Sequence, residues 1–256
     1  MDIGAVIIGD ELLSGKRQDK HLGFLIDTLT PRGLELRWVR MVGDHPQHLL
    51  ETFRQTLATE AVVFCFGGIG ATPDDLTRST LAQAAGLPLQ RHPEAQALLE
   101  ARFGEAAYPH RIRMAHLPVG ATLIPNPVNQ VPGFSLQQHH CVPGFPNMAW
   151  PMVEWVLDTH YMHLYTSPDT EMLFTVQGAA ESDLIPLMEA LTAHFPQLRL
   201  SSLPSGERGR FLEIGLKGPE PTLLPACEQL RAGLQAQSLS FSEQPRIPTA
   251  RSTPET

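Results

Sequence analysis

Apolar positions along this chain follow two alternating rhythms: short unbroken apolar runs, and longer stretches with apolar residues at helical spacing. Residues 3–9 are an apolar run ending in Gly9, which predicts a first strand buried on both faces, as in a parallel sheet. Leu22, Leu25, Ile26 and Leu29 then recur at helical spacing within 19–29, with Gly33 as a stop. Residues 34–42 predict a second strand, 45–57 a helix, and 61–66 a third strand dense in Val and Phe. A Gly-rich turn follows, then a helix over 73–85. This β–α alternation is the sequence form of a doubly wound α/β sheet.

Further along, 93–103 predicts a helix, and 104–147 is rich in Pro and Gly with short strands at 121–124 and 139–142. A helix over 146–162 closes the first domain; Met148, Met152, Trp155 and Val156 fall on one face of it and read as core packing. The composition shifts near Ser167-Pro168. Strands at 174–177, 199–203 and 211–216 with helices at 182–195 and 223–234 predict a small α+β unit. The expected division is an α/β domain over 1–163, a small domain over 164–243, and a polar tail over 244–256 whose three prolines predict disorder.

Composition narrows the partners. The 256 residues are 42% hydrophobic and 18% charged, enough for a sizeable core, and the formal net charge is -8. Affinity for bulk nucleic acid comes from clustered Lys and Arg, so a nucleic-acid partner is not expected. A small anion held by backbone N–H groups remains open. Cys65, Cys141 and Cys227 form no C-x-x-C pair, which argues against a disulfide framework or structural zinc and fits a reducing compartment. No basic leader and no membrane-length apolar run is present, so a cytoplasmic location and no membrane partner are expected.

The most informative segment is Phe66-Gly67-Gly68-Ile69-Gly70-Ala71-Thr72-Pro73-Asp74-Asp75-Leu76-Thr77-Arg78, which leaves the third strand and enters a helix. Ligands of open α/β sheets bind at the C-terminal strand ends, where glycines allow close backbone approach and a helix start offers N–H groups to phosphate. The pattern is neither a Walker A loop nor the full dinucleotide fingerprint. Thr72, Pro73 and Asp75 suit N-cap, N1 and N3 of the helix, which accounts for one carboxylate but not for Asp74 and Asp75 together. An acid beside a phosphate calls for a metal or a proton between them. Two further acids, Asp10 and Glu11, follow strand one beside Gly9, and Asp44 follows strand two, so three strand ends on one edge each offer an acid. Pro143-Gly144, after the strand at 139–142, is either a turn beneath a ligand or simply a turn, and 117–134 reads as a rigid irregular loop covering the site. His139-His140-Cys141 is not a metal cluster, because neighbours on a strand point to opposite faces. Gly206-Glu207-Arg208-Gly209 matches an RNA-binding GXXG loop but reads as a link between strands.

These motifs run in a specific order: Gly-Asp-Glu-Leu-Leu-Ser-Gly at 9–15, Val-Gly-Asp at 42–44, Gly-Gly-Ile-Gly-Ala-Thr-Pro-Asp-Asp-Leu-Thr-Arg at 67–78, Leu-Pro-Val-Gly-Ala at 117–121, Asn-Pro-Val at 126–128, Pro-Gly-Phe at 132–134 and Pro-Gly-Phe-Pro at 143–146. Together they resemble the competence/damage-inducible protein A (CinA) family, whose N-terminal domain is similar to the molybdopterin-binding domain of molybdenum-cofactor biosynthesis proteins. The resemblance implies a three-layer α/β/α, mostly parallel domain with its pocket at the Gly loop, followed by a small α+β domain, and a homo-oligomer. It implies divalent-metal-dependent (Mg, Mn or Co) pyrophosphatase activity on ADP-ribose or a related nucleotide. The alternative is a protein that binds molybdopterin or a nucleotide without hydrolysing it. On this reading Glu11 and Asp75 are catalytic and, with Asp44, hold the metal; Gly9, Asp10, Gly67, Gly68, Gly70, Thr72, Asp74, Thr77, Pro143 and Gly144 contact the nucleotide or pterin. The chain is too short for the nicotinamide-nucleotide amidase domain of full-length relatives, so no amidase activity is expected. It departs from the family pattern at His21, Ala71 and Met148, where Asn, Pro and an acid-bearing pattern are usual.

Overall fold

The unbroken apolar run near the N-terminus forms β1 (Ile3–Ile8), buried along its whole length. In the computed structural model, which describes residues 1–204 and 211–246, the first unit comprises Met1–Leu29 and Leu34–Tyr165. Its strands after β1 are β2 (Leu36–Val42), β3 (Val62–Phe66), β4 (Leu89–Arg91), β5 (His116–Pro118), β6 (Thr122–Ile124), β7 (Gly133–Leu136) and β8 (His139–Val142). Its helices are α1 (Asp10–Leu13), α2 (His21–Leu29), α3 (Pro46–Leu57), α4 (Thr77–Ala84), α5 (Pro93–Phe103) and α6 (Pro146–His160). The main sheet runs β2-β1-β3-β8-β7-β6, parallel from β2 through β8 and antiparallel beyond. β4 and β5 form a separate two-stranded ribbon.

Alternation along β1 and β3 sends side chains to two cores. Val6, Ile8, Val63 and Cys65 pack with Leu49 and Phe53 of α3 and Leu81 of α4. Ala5, Ile7, Phe64 and Phe66 pack with Leu25 and Leu29 of α2 and Met152, Val153 and Val156 of α6. Burial on both faces is why these strands read as continuous apolar runs. Each fully buried Leu or Phe contributes roughly 1.5–3 kcal/mol. The result is a mostly parallel sheet between two helical layers, the three-layer α/β/α class.

The structure corrects several local expectations. The helix expected over 73–85 begins only at Thr77, because Thr72–Asp75 closes a turn of its own and Leu76 is the N-cap. The segment 117–134 is not simply a loop: besides the strand expected at 121–124, observed as β6, it contains the end of β5 and the start of β7, strands too short and Pro-flanked to show a period. Met152 and Val156 are buried as expected of core packing, but Trp155 of the same stripe is 36% exposed.

The second unit comprises Thr30–Gly33 and the chain from Thr166 onward. Its elements are β9 (Thr170–Gln177), α7 (Glu181–His194), β10 (Arg199–Pro204), β11 (Phe211–Gly218), α8 (Glu220–Ala236) and β12 (Ser240–Arg246). The order βαββαβ, with an antiparallel sheet β10-β11-β9-β12, is the split βαβ arrangement. Phe174, Val176, Leu212, Ile214 and Leu216 pack beneath Leu184, Leu191, Leu223, Leu230 and Leu234. Residues 244–246, expected in a disordered tail, instead end β12 and pair with 171–173 of β9. Pairing with an ordered neighbour overrides their polar composition. The rest of that tail and the Gly206–Gly209 loop lie outside the described residues.

Candidate functional site

β1, β2, β3 and β8 are parallel, so the turns that follow them lie on one sheet edge. Backbone bonds stitch these turns together: Gly9 N–H donates to Val42 O at 3.0 Å and Gly67 N–H to Val142 O at 3.0 Å. Gly67 and Gly68 have φ of 100° and 67°, values that disfavour any side chain. A Cβ on Gly67 would also strike the Ile8 carbonyl, and one on Gly68 the Thr77 hydroxyl. Thr77, the first residue of α4, fixes this double turn: its hydroxyl donates to Gly67 O at 2.9 Å and its N–H to Gly68 O at 3.0 Å. The N–H groups of Gly68, Ile69 and Gly70 donate to no acceptor among the described residues.

Three of the acids at this edge, Asp10, Glu11 and Asp75, lean on a glycine. A Cβ on Gly43 would collide with Asp10 Oδ1, one on Gly9 would sit 2.8 Å from Glu11 Oε2, and one on Gly70 would sit 2.5 Å from Asp75 Oδ2. Asp75 Oδ2 accepts both the Thr72 N–H at 2.8 Å and the Thr72 hydroxyl at 2.5 Å. Thr72 and Asp75 therefore form a capping pair closed on a turn rather than on a helix. Burial pushes the Asp44 carboxyl up; the Asp10 N–H it accepts pulls the other way, and Asp10, Glu11 and Asp74 add to the rise. Arg78, 8% exposed, holds the loop from behind by donating to the carbonyls of Gly70, Arg113 and His116. Burial pushes its guanidinium below its ordinary range.

The turns enclose a cleft of about 550 Å³. Gly9, Glu11, Asp44, Gly67, Gly68, Gly70, Thr72, Asp74, Asp75, Pro143 and Gly144 all line it. Two expected contact residues do not. Asp10 is engaged with the Asp44 N–H, and Thr77 is fully buried beneath the loop it fixes. The opposite wall is made by Asn129 and Val131, from the 117–134 segment expected to cover the site, together with Phe103, Met114, Phe145 and Met148; Phe103, Met114 and Arg17 were not anticipated. The Arg17 guanidinium stands 5.9 Å from the centroid of the Phe145 ring, which is itself 53% exposed. Asn129 Nδ2 donates to Met148 Sδ at 3.0 Å and so props that wall.

His139 and His140 face opposite ways, as adjacent strand residues must. His139 Nε2 meets Thr56 Oγ1 at 2.8 Å on the α3 side, and His140 Nε2 donates to Tyr161 Oη at 2.7 Å on the α6 side. Among the described residues no three His, Cys, Asp or Glu side chains come together as a metal cage. No helix among them is long and apolar enough to cross a membrane.

Residues 4–163, the span that builds this cleft, match the family model described as "Probable molybdopterin binding domain". The chain belongs to that family. Among relatives, it is 32% identical to a CinA-like protein of Anaeromyxobacter sp. over 92% of this chain and 65% of that protein. It is 30% identical to a protein of Pyrobaculum arsenaticum over 78% of this chain and 79% of that protein. The solved structure of the protein CinA from Thermoplasma acidophilum is similar with a TM-score of 0.56 and 26% identity, over 62% of this chain and 98% of that one. In this CinA-like molybdopterin-binding-domain protein, two of the three departures from the family pattern, Ala71 and Met148, line the cleft. The third, His21, is 4% exposed at the start of α2; its Nε2 donates to Gly144 O at 3.1 Å and its ring stacks on Phe66 with centroids 4.2 Å apart.

Proposed function

We propose that this protein hydrolyses the pyrophosphate of ADP-ribose or a related nucleotide with the help of a divalent ion. The observation that supports this most is the run of uncommitted N–H groups at Gly68, Ile69 and Gly70 on a loop that lines one cleft together with four acids. Amides in such a turn hold phosphate oxygens. The acids would repel those oxygens unless a cation stood between them. With no three-residue cage among the described residues, the fit is to the Mg²⁺ mode, in which one or two carboxylates share the ion with the ligand's own phosphates.

Glu11 and Asp75 would hold such an ion. The Glu11 carboxylate makes no hydrogen bond among the described residues, and Asp75 keeps Oδ1 while Thr72 occupies Oδ2. Asp44, also expected to hold the metal, does not join them, since no three such side chains come together among the described residues. When bound, the ion supplies charge neutralisation and activation of water. The chain's own groups bind and orient: the amides and Thr72 at the phosphates, Arg17 as a cation at the rim, and Phe103, Met114, Phe145 and Met148 as an apolar wall for the flat base. The test is AMP release from ADP-ribose by purified protein with Mg²⁺, Mn²⁺ or Co²⁺. Release above a metal-only blank that Asp75→Ala abolishes supports the reading, and release no greater than the blank refutes it.

A second reading is favoured by Met148, which fills a corner of the cleft with a thioether where the family resemblance leads to an acid. On that reading the protein holds a molybdopterin or nucleotide without turnover. A ligand-induced rise in melting temperature without product formation is its signature.

A further inference from the structure

The two strands that end an open sheet turn unpaired N–H and C=O groups outward, and folds blunt such edges with charge, proline or brevity. The main sheet of the first unit ends in β2 and β6. β2 carries Arg37 and Arg40, and β6 is three residues long. The sheet of the second unit ends in β10 and β12. β12 carries Glu243, Pro245 and Arg246. β10 has none of these devices along its middle: Arg199 opens it, Pro204 closes it, and Leu-Ser-Ser-Leu lies between. Leu203 is 63% exposed, and Arg199, Ser201 and Pro204 are exposed with it. Beside this edge, on the helix-covered face, Ile185 and Met188 of α7 and Leu200 of β10 line an open groove of about 600 Å³. Ile185 is 45% exposed, and Glu189 is the one charged group lining the groove. An unblunted strand edge beside an apolar groove suits an added strand that brings an apolar layer with it.

We propose that β10 pairs antiparallel with β10 of a second copy of this chain, joining two four-stranded sheets into one across a two-fold axis. The strand suits its own copy. With Ser201 opposite itself, Arg199 faces Leu203; with Ser202 opposite itself, Arg199 overhangs the strand. In neither register do like charges meet, which would destabilise the pairing. In both, Leu200 and Ser202 of the two copies share one face, so both α7 helices lie on that face and run antiparallel. Glu181 and Asp183 at the start of one helix then point toward the His194 end of the other. Ile185 of each copy supplies the apolar layer that the other's groove lacks. A foreign strand would pair with β10 but bring no helix for the groove. The residues after β12 do not supply the layer either: 247–256 hold one large apolar side chain, Ile247, and two prolines, and they leave the sheet at its opposite edge. Such a contact is isologous and closes at two copies.

Sedimentation equilibrium of the full chain from about 1 to 200 µM tests this, because a contact one strand and one helix long lies at the small end of specific interfaces and is expected to give a dissociation constant on the order of 10 µM. Leu203→Lys puts a cation at the seam close to Arg199, and Ile185→Glu adds an acid beside Glu189 of the groove. Both sites are exposed, so the double variant is expected to keep the melting temperature that the unaltered chain shows at about 1 µM and to associate at least tenfold more weakly. Ser201→Cys and Ser202→Cys locate the axis. The native cysteines are buried, and mild oxidation is expected to join two chains through at least one of these positions but not through Ser242→Cys on the opposite edge strand. A chain that stays monomeric throughout overturns the proposal and leaves the edge to a foreign strand. Association unchanged in the double variant also overturns it, as does joining no faster at Ser201→Cys or Ser202→Cys than at Ser242→Cys.

Discussion

Asp10 and Asp44 hold each other by exchange: Asp10 Oδ1 accepts the Asp44 N–H at 3.1 Å, and Asp44 Oδ2 accepts the Asp10 N–H at 3.0 Å. The turns after β1 and β2 are thereby locked at the cost of two adjacent negative charges. The exchange and the repulsion separate under substitution. Asn at position 44 keeps an oxygen for the Asp10 N–H and removes a charge that burial and three neighbouring acids disfavour. Asp44→Asn is therefore expected to leave stability unchanged or raise it by a few tenths of a kcal/mol, the small size reflecting solvent screening. Asp44→Ala leaves the Asp10 N–H without its acceptor and is expected to cost about 1 kcal/mol. Urea denaturation of the two variants without divalent ions gives the comparison. Equal effects of Asn and Ala would mean that the exchange contributes nothing.

Gly68 and Gly144 separate conformation from space. Gly68→Ala places a side chain at φ 67° and against the Thr77 hydroxyl. It is expected to cost about 2 kcal/mol or more and to abolish ligand binding with the turn it distorts. Gly144→Ala meets only the Gly67 Cα, at an ordinary 3.5 Å. It is expected to fold normally and to lower ligand affinity by narrowing the cleft that Gly144 lines. Melting temperature and nucleotide titration measured on both variants check the contrast.

Much of this architecture was legible because its signals are local. β1 and β3 announce themselves as apolar runs, and the glycines that receive Glu11 and Asp75 stand in the same short segments as those acids, whereas Gly43, which receives Asp10, comes from the turn after β2. The opposite wall was legible only as a segment, 117–134, expected to cover the site, and not residue by residue. Phe103 ends α5, Met114 lies in a short 3-10 turn, and Asn129 and Val131 lie between β6 and β7. No spacing in the sequence links them; the β4–β5 ribbon and the β6–β7 pair bring them to the cleft. The late start of α4 was hidden for a different reason. Thr72 and Asp75 carry the residue types of a helix cap and make its hydrogen bonds, but around a turn.

Arg78 is expected to act on the site through Gly70. Its guanidinium spends its donors on carbonyls of Gly70, Arg113 and His116, so it braces the Gly67–Gly70 turn against the segment before β5. Arg78→Ala leaves these buried acceptors unpaired and is expected to cost about 3 kcal/mol. Arg78→Lys restores the charge but not the fork. It is expected to recover part of the stability and little of the nucleotide affinity. Full recovery of affinity by lysine would show that charge alone matters and remove the bracing role.

Acid sensitivity should come from the paired histidines of β8 rather than from the cleft. Burial holds His139 down to about 4 and His140 down to about 3, against an ordinary value of 6.5. The hydrogen bonds agree with a neutral His140: Ser135 Oγ–H donates to Nδ1 at 2.8 Å, Nε2–H donates to Tyr161 Oη at 2.7 Å, and Tyr161 passes its own proton to Gln138 at 2.6 Å. Both bases are depressed by folding, so between pH 6.5 and 4 the unfolded chain binds more protons than the folded one, and stability rises with pH across that window. The contribution is complete above pH 6.5 and is lost as the pH falls toward the folded values, with roughly 3 kcal/mol at stake for each residue. Because β8 leads directly into Pro143 and Gly144, loss of its packing should also loosen the cleft. Urea titrations at intervals from pH 7.5 to 4 are expected to show this slope in the unaltered protein and a flatter one in His139→Gln/His140→Gln, which starts less stable but has no imidazole on β8 to protonate. An unchanged slope in the double variant would place the acid sensitivity elsewhere.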